Sequence, residues 1–429
     1  MERVPGVYTT ELTMQPHGRI WTTKPKVGRD GLLTVIGNRR ARQNAATRVS
    51  FTCVAFNARG DTFAAADRRG AVFLFCVPTN RYTCLKEARL GSPALALDFV
   101  HDRPSFNTVV VGMGDPRCTV LCLNGESGRA EKTLSGHHAH AVTAVASHAR
   151  RPLVLSTSLE AVVLWDAESW AKLHVLSGPG GLAVVAARFV VDGERIAVLF
   201  RDDAILVWSA ETFSLVSRLT LPPREGAGAA RAAAAAALGG GGAGGAGVLR
   251  AFAATRDGAT FVAGGANAML YLWDTAAERV ARVAELPPSA SQAVQLEYVA
   301  DSRELLCLTD DGRVCALLFT PSGCAVQLEL APPAVAFTSL GVDGTGKYLV
   351  GCMSDGTLRL YDLEVATDSV EEVRPGVCVC GWSIGQTKFR YDVSVRDGVD
   401  GRDGGCYEPI ESCPRAVVVF SHSRFRTHE

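Results

Sequence analysis

Nine histidines occur in the chain, and four of them, His137, His138, His140 and His148, fall close enough together to hold a metal ion through imidazole nitrogens. A second reading is stronger. His137 follows Gly136, and a Gly-His pair at the head of a β unit uses its imidazole for a hydrogen bond inside the sheet, with the other three on exposed loops. The turn expected to carry Asp in that unit reads His148-Ala149-Arg150-Arg151, which leaves the internal network incomplete. Two carboxylate pairs, Asp202-Asp203 and Asp310-Asp311, have the composition of a general acid and base. Each sits between two short apolar runs, where Asp is ordinary turn chemistry. The Gly-rich run 239–245 lacks the Lys-Ser/Thr sequel of a phosphate loop, so no nucleotide is expected. Cys378, Cys380, Cys406 and Cys413 are spaced as Cys-Val-Cys and across a six-residue gap, which is not the spacing of a zinc knuckle. No catalytic residue, cofactor or metal site is predicted.

The elements that carry these residues repeat. One unit recurs, with an apolar stretch, a turn rich in Asp or Gly, a second apolar stretch, a tight turn, and a third stretch ending in an aromatic residue. The clearest copy runs from Gly136-His137 through Ala141–Val145 and Pro152–Ser156 to Leu164-Trp165-Asp166, then Lys172–Leu176. Those four stretches, bracketed by Gly-His and Trp-Asp, have the form of a WD repeat. Trp208, Trp273-Asp274 and Tyr361-Asp362 close three more copies, and 43 residues separate Trp165 from Trp208, one repeat step. Degenerate units end near Phe75 and Phe319, and the weakest, around Val109–Val111 and Thr119–Cys122, fills the gap between its neighbours.

Seven units predict an all-β, seven-bladed WD40-type β-propeller over residues 31–365. The last unit supplies only three strands, at about 335–341, 348–354 and 357–362, so its fourth is expected from Leu32–Ile36, closing the ring. Residues 1–30 read as an N-terminal extension. Trp208 and Trp273 lie 65 residues apart, and the excess is the Ala- and Gly-rich stretch 222–248, which reads as a flexible insertion. From about residue 366 to 429 the period is lost and an irregular, disordered tail is expected.

Composition narrows the function classes. Lys plus Arg and Asp plus Glu are 44 each, so no overall field draws the chain to nucleic acid or an anionic membrane. Arg39, Arg40, Arg42 and Arg48 form a basic segment with no interleaved aromatic to stack bases; it reads as a solvated connector, with a phosphate or acidic partner as the alternative. The longest apolar run, 181–191, is cut by Arg188 and is too short for a membrane helix. The thirteen cysteines, mostly single in apolar segments, and the absence of an apolar leader predict a reducing, cytoplasmic setting.

Beyond the generic repeat, particular segments resemble the amino-terminal region of the WD-repeat TBC-domain protein family. They are Gly18-Arg19-Ile20-Trp21 with Lys24-Pro25 and Arg29-Asp30-Gly31, then Val54-Ala55-Phe56 with Gly60-Asp61, and Asn80-Arg81. Most specific is Ala251–Gly258, continuing through Ala263-Gly264-Gly265 to Leu272-Trp273, followed by Gly346-Lys347-Tyr348 with Tyr361. The resemblance implies a non-enzymatic scaffold at centrosomes, centriolar satellites and the base of cilia. TBC domains that activate Rab GTPases carry their glutamine in a Tyr-x-Gln motif, and that motif does not occur in this sequence, so GTPase activation is not expected of it.

Partner binding is expected on one face. In a propeller the turns between second and third strands share a rim, and here it is uneven: Arg68 and Arg69 in blade one, against Asp202, Asp203, Asp310, Asp311 and Asp355 in later blades. A basic segment of a partner protein across blades four to seven is the expectation. An adaptor in ubiquitin ligation or RNA processing is the alternative, and a propeller enzyme ranks behind both, because the strands nearest the axis read as Ala-, Val- and Leu-rich. No small-molecule, nucleic-acid or membrane partner is predicted.

Overall fold

Runs such as Arg195–Phe200 and Ile205–Ser209 are apolar at nearly every position rather than at alternate ones, so both their faces must be covered. In the computed structural model of the chain they are the second and third strands of a four-stranded antiparallel sheet, buried almost throughout. The structure describes residues 9–14, 20–25, 31–38, 49–79, 81–86, 92–100, 108–221, 248–287, 290, 292–299, 304–320, 323–332, 334–364, 382–384, 387–389, 393–396 and 417–420.

Seven such sheets follow one another. Blade one comprises Phe51–Phe56, Thr62–Asp67, Val72–Cys76 and Arg81–Lys86, and blade two Ala94–Phe99, Val109–Met113, Val120–Leu123 and Ala130–Leu134. Blade three comprises Ala144–Ser147, Leu153–Thr157, Val162–Asp166 and Lys172–Leu176, and blade four Val184–Val190, Arg195–Phe200, Ile205–Ser209 and Leu215–Leu219. Blade five comprises Leu249–Ala254, Thr260–Gly265, Met269–Asp274 and Arg279–Glu285. Blade six comprises Ala293–Tyr298, Glu304–Thr309, Val314–Thr320 and Gly323–Leu330. The first strands of successive blades touch in a closed cycle, so they surround the axis and the fourth strands lie outermost. The protein is an all-β, seven-bladed propeller, as the period of the sequence predicts.

Blade seven supplies Phe337–Val342, Tyr348–Met353 and Leu358–Asp362, and Leu32–Asn38 pairs antiparallel beside the last, with Leu32 opposite Tyr361 and Ile36 opposite Leu358. Ring closure by the N-terminal strand therefore holds. It is not the outer edge, however: Ile20–Pro25 pairs on it and Thr9–Met14 pairs on that, making a six-stranded sheet. Residues 1–30 were expected only as an extension, and these two strands carry little apolar alternation in the sequence that would have announced them.

Apolar packing lies between blades rather than within one. Where the ring closes, Ile36, Val350, Cys352, Leu358 and Leu360 of blade seven meet Phe51, Val54, Phe63, Phe73 and Phe75 of blade one. Phe63 stacks on Phe75 with centroids 4.9 Å apart, and Phe51 meets Phe73 edge-on at 5.9 Å. This aromatic group does the work that a tryptophan does in other blades. Glycine lets neighbouring blades approach at two turns. Gly193 has φ +95°, and a Cβ there would lie 2.4 Å from the His148 ring of blade three; Gly60 has φ +69°, and its Cβ would lie 2.8 Å from the Asp343 carboxylate of blade seven.

The chain divides into two units, Met1–Leu363 and Glu364–Glu429. In the second, Trp382–Ile384 pairs with Thr387–Phe389, and Val393–Arg396 with Val417–Phe420. Its four cysteines lie outside the described residues, as do Arg39, Arg40, Arg42 and Arg48 and all but the last residue of the insertion 222–248.

Candidate functional site

The histidines of blade three occupy structural positions, but not as their order in the sequence suggests. His138, not His137, enters the sheet: its Nε2 is 2.7 Å from Ser156 Oγ and its Nδ1 2.8 Å from Ser158 Oγ. Trp165 Nε1 donates to Ser156 Oγ at 2.8 Å, and Ser158 Oγ donates to the Ala161 carbonyl at 3.2 Å. Those two fixed bonds set the tautomer. Ser158 has spent its proton on Ala161, so His138 Nδ1–H donates to it, and His138 Nε2 accepts from the Ser156 hydroxyl. The result is one unidirectional chain from the Trp165 indole to the Ala161 carbonyl. Burial holds the His138 pKa below its ordinary value, although nearby Glu160 pulls the other way. His137 packs edge-on against Trp165, with centroids 4.9 Å apart.

His148 was expected on an exposed loop and is buried. Its Nδ1 accepts the backbone N–H groups of Arg150 and Arg151 at 2.9 and 3.1 Å, the task that Asp343 performs in blade seven for Tyr348 and Thr345. The turn thought to lack its carboxylate is completed by an imidazole. His140 is exposed and pairs with Glu160 at 2.8 Å. Partial burial opposes ionisation of Glu160, yet the Ala139 amide and the His140 side chain, among other donors, hold its pKa down to about 2. Among the described residues, no three His, Cys, Asp or Glu side chains gather as a metal ion requires.

The axial strands are less apolar than the sequence suggests. Arg188 of blade four reaches past blade five, lying 5.6 Å over the Phe252 ring, to make two bonds of 2.9 and 3.0 Å to the Glu297 carboxylate of blade six. Gln295 exchanges two hydrogen bonds with the backbone of Leu340 in blade seven, and Asp98 accepts the Ser147 amide of blade three at 2.7 Å. These side chains tie one blade to another. The signal was present: Arg188 interrupts the longest apolar run of the chain, and a charge there needs a partner.

All seven rim residues singled out in the sequence lie on turns between second and third strands, and so on one rim. Its acidic members have local work. Asp203 Oδ1 accepts the Leu249 amide at 2.7 Å, fastening the entry of blade five, and Asp310 Oδ1 accepts the Gln292 amide at 2.9 Å, fastening the entry of its own blade six. Asp202 accepts the Ala204 amide and stands 3.7 Å from Arg218. Asp355 accepts the amide and hydroxyl of Thr357. Burial disfavours the Asp311 carboxylate, but Arg313, 2.6 Å away, and Thr309 hold its pKa below the ordinary value. Asp202, Asp310 and Asp311 remain exposed, whereas Asp203 and Asp355 are half-buried. Arg68 is exposed and Arg69 half-buried, and in both the structure uses the backbone amide, for Ser50 and Asp67 respectively. Arg117 of blade two, exposed on the same rim, was not singled out.

Comparison with known proteins agrees with this architecture. Residues 128–166, from the outer strand of blade two through the third strand of blade three, match the WD domain, G-beta repeat family. A chain of the mitotic checkpoint complex superposes with a TM-score of 0.58 over 76% of this chain and 95% of its own, at 16% identity, which speaks to the fold alone. TBC1 domain family member 31 of Xenopus laevis is 24% identical over 374 residues, and that of Homo sapiens 23% over 374. Each alignment takes in 86% of this chain and 32% of the relative, so the chain spans about a third of the length of the curated relatives it matches. The resemblance carried by Gly18–Trp21 and Ala251–Gly258 thus extends along most of the sequence: this chain is a WD-repeat propeller similar to TBC1 domain family member 31.

Proposed function

We propose that the protein is a non-enzymatic interaction scaffold at the centrosome, centriolar satellites or cilium base, and that it engages partner proteins through the rim of second-to-third-strand turns. The observation that carries this reading is a closed ring whose turns are fixed by their own hydrogen bonds while Asp202, Asp310 and Asp311 keep exposed faces. Such a surface is preorganised, so a partner docks without the cost of ordering it. The setting at the centrosome and cilium is what the resemblance of Gly18–Trp21 and Ala251–Gly258 to the WD-repeat TBC-domain family implies. The acidic arc of blades four to seven suits a basic segment of the partner, steered by charge and weakened by salt.

Proximity labelling in ciliated cells, comparing the chain with an Asp202→Asn, Asp203→Asn, Asp310→Asn, Asp311→Asn variant, tests both parts. Asparagine keeps the side-chain oxygen that accepts the turn amides, so the fold should persist. Centrosomal neighbours should be recovered with the natural chain and depleted with the variant. Recovery of ubiquitin-ligase or RNA-processing neighbours instead would place the scaffold elsewhere, and an unchanged set would move the docking surface to the opposite rim or the tail.

A further inference from the structure

We propose that the arc of this rim formed by blades one and two, with Arg68, Arg69 and Arg117, docks an acidic segment of a partner protein. The inference rests on the rim being the docking face, and adds to it the chemistry of a second contact. Most described arginines near a carboxylate are spent on it: Arg150 and Arg256 on Asp192, Arg188 on Glu297, Arg313 on Asp311 and Glu329. Among the described residues no ion pair or side-chain hydrogen bond engages the guanidinium groups of Arg68, Arg69 and Arg117; Arg201 of blade four is likewise exposed and unengaged on this rim, but it stands beside Asp202 and Asp203. The carboxylates in the turns of Arg68, Arg69 and Arg117 do not neutralise them. Asp67 is 1% exposed and gives Oδ1 to the amides of Arg69 and Ala71, and Asp115 gives its two oxygens to the amide and hydroxyl of Thr119.

Uncommitted guanidinium groups on neighbouring turns suit side-chain carboxylates, which they bind in a bidentate fork. Single-stranded nucleic acid fits less well, because it is held by aromatic surfaces on which its bases stack, and Phe51, Phe63, Phe73, Phe75 and Tyr82 of blade one are all buried. The rim is therefore weighted in opposite senses: Arg68, Arg69 and Arg117 stand uncommitted over blades one and two, while over blades four to seven the five aspartates outnumber Arg201 and Arg313. An acidic segment is drawn to blades one and two and repelled from blades four to seven, so a partner carrying both charges docks in one orientation.

Titration of a labelled oligo-glutamate peptide with the chain, followed by fluorescence anisotropy, tests this directly. Saturable binding is expected at about 0.05 M salt, with most of it lost by about 0.5 M as screening shortens from over 10 Å to under 5 Å. Arg68→Gln, Arg69→Gln, Arg117→Gln should weaken it about tenfold, with the circular dichroism spectrum unchanged, while Arg129→Ala on the opposite rim leaves it intact. Should that triple variant unfold, the three single substitutions are read instead, each weakening binding by about two- to threefold. Equal affinity of the triple variant and the natural chain, or oligo-thymidylate binding as tightly with the same arginine dependence, overturns the proposal. If the glutamate peptide fails while the asparagine variant still loses its neighbours, the acidic segment is wrong and the rim as a docking face stands.

Discussion

Ser156 is the one residue of the blade-three chain whose loss leaves two buried groups without partners. Its hydroxyl oxygen accepts from Trp165 Nε1 at 2.8 Å, and its proton goes to His138 Nε2 at 2.7 Å. Trp165 is 1% exposed and His138 7%, so water does not readily replace it. An unsatisfied buried donor or acceptor costs about 1–3 kcal/mol. Both ends of Ser156→Ala are orphaned together, so a loss of about 3 kcal/mol is expected. Ser158→Ala provides the contrast. It removes the acceptor of His138 Nδ1–H, but Glu160 Oε1 already lies 3.6 Å from that nitrogen and can close on it. The Ala161 carbonyl also keeps the backbone N–H of residue 158 at 3.0 Å. A loss of about 1 kcal/mol is expected there. Urea unfolding followed by tryptophan fluorescence and far-UV circular dichroism reads both differences. The assigned proton order is refuted if Ser158→Ala costs as much as Ser156→Ala, or if Ser156→Ala stays within about 0.5 kcal/mol of the natural chain.

The same chain makes blade three sensitive to acid. Burial lowers the folded pKa of His138 below the 6.5 of the free side chain, so its contribution is fully present above about pH 6.5 and is lost as pH falls through the folded value; His138→Gln should flatten the decline of the urea midpoint below pH 6.5. Arg359 is 4% exposed and among the described residues its Nε has no hydrogen-bond partner, so Arg359→Met should hold or raise the urea midpoint, and a loss above about 1 kcal/mol would reveal a partner for that nitrogen. Gly351→Ala would place a Cβ 2.2 Å from the Phe337 ring, and a loss of about 2 kcal/mol is expected, largely recovered by a second change, Phe337→Leu, if the clash is with that ring. A double-mutant cycle on Arg188→Gln and Glu297→Gln should return a coupling of about 1 kcal/mol, since both side chains are about 70% buried (30% and 29% exposed) and the pair is bidentate; a coupling near zero would make their contact incidental to holding blades four to six together.

The parts of this fold that were legible in the sequence are those where burial dictates residue type. A strand covered on both faces must be apolar throughout, so Arg195–Phe200, Ile205–Ser209 and the aromatic endings at Trp165, Trp208 and Trp273 announced the blades, and the short seventh unit announced its missing strand. Thr9–Met14 and Ile20–Pro25 lie at a sheet edge, where composition is less constrained, and they were not foreseen. The turn sites were harder for a different reason: they are fixed by a hydrogen bond that several side chains can make. At the end of the first strand the turn amides are accepted by Asn57 in blade one, His148 in blade three, Thr255 in blade five and Asp343 in blade seven. With His148 where Asp is expected, the third blade reads as defective in sequence although its imidazole takes the place of a carboxylate. Which of His137 and His138 turns inward was likewise beyond spacing alone, because Gly136, at φ +75°, sets the path of the loop before either residue is reached. That substitution of one acceptor for another limits what the rim carboxylates can tell about partners. Asp203 and Asp310 would be needed for their amides on a rim that bound nothing, so binding is better sought in charges that the fold does not use, of which Arg68, Arg69 and Arg117 are the plainest.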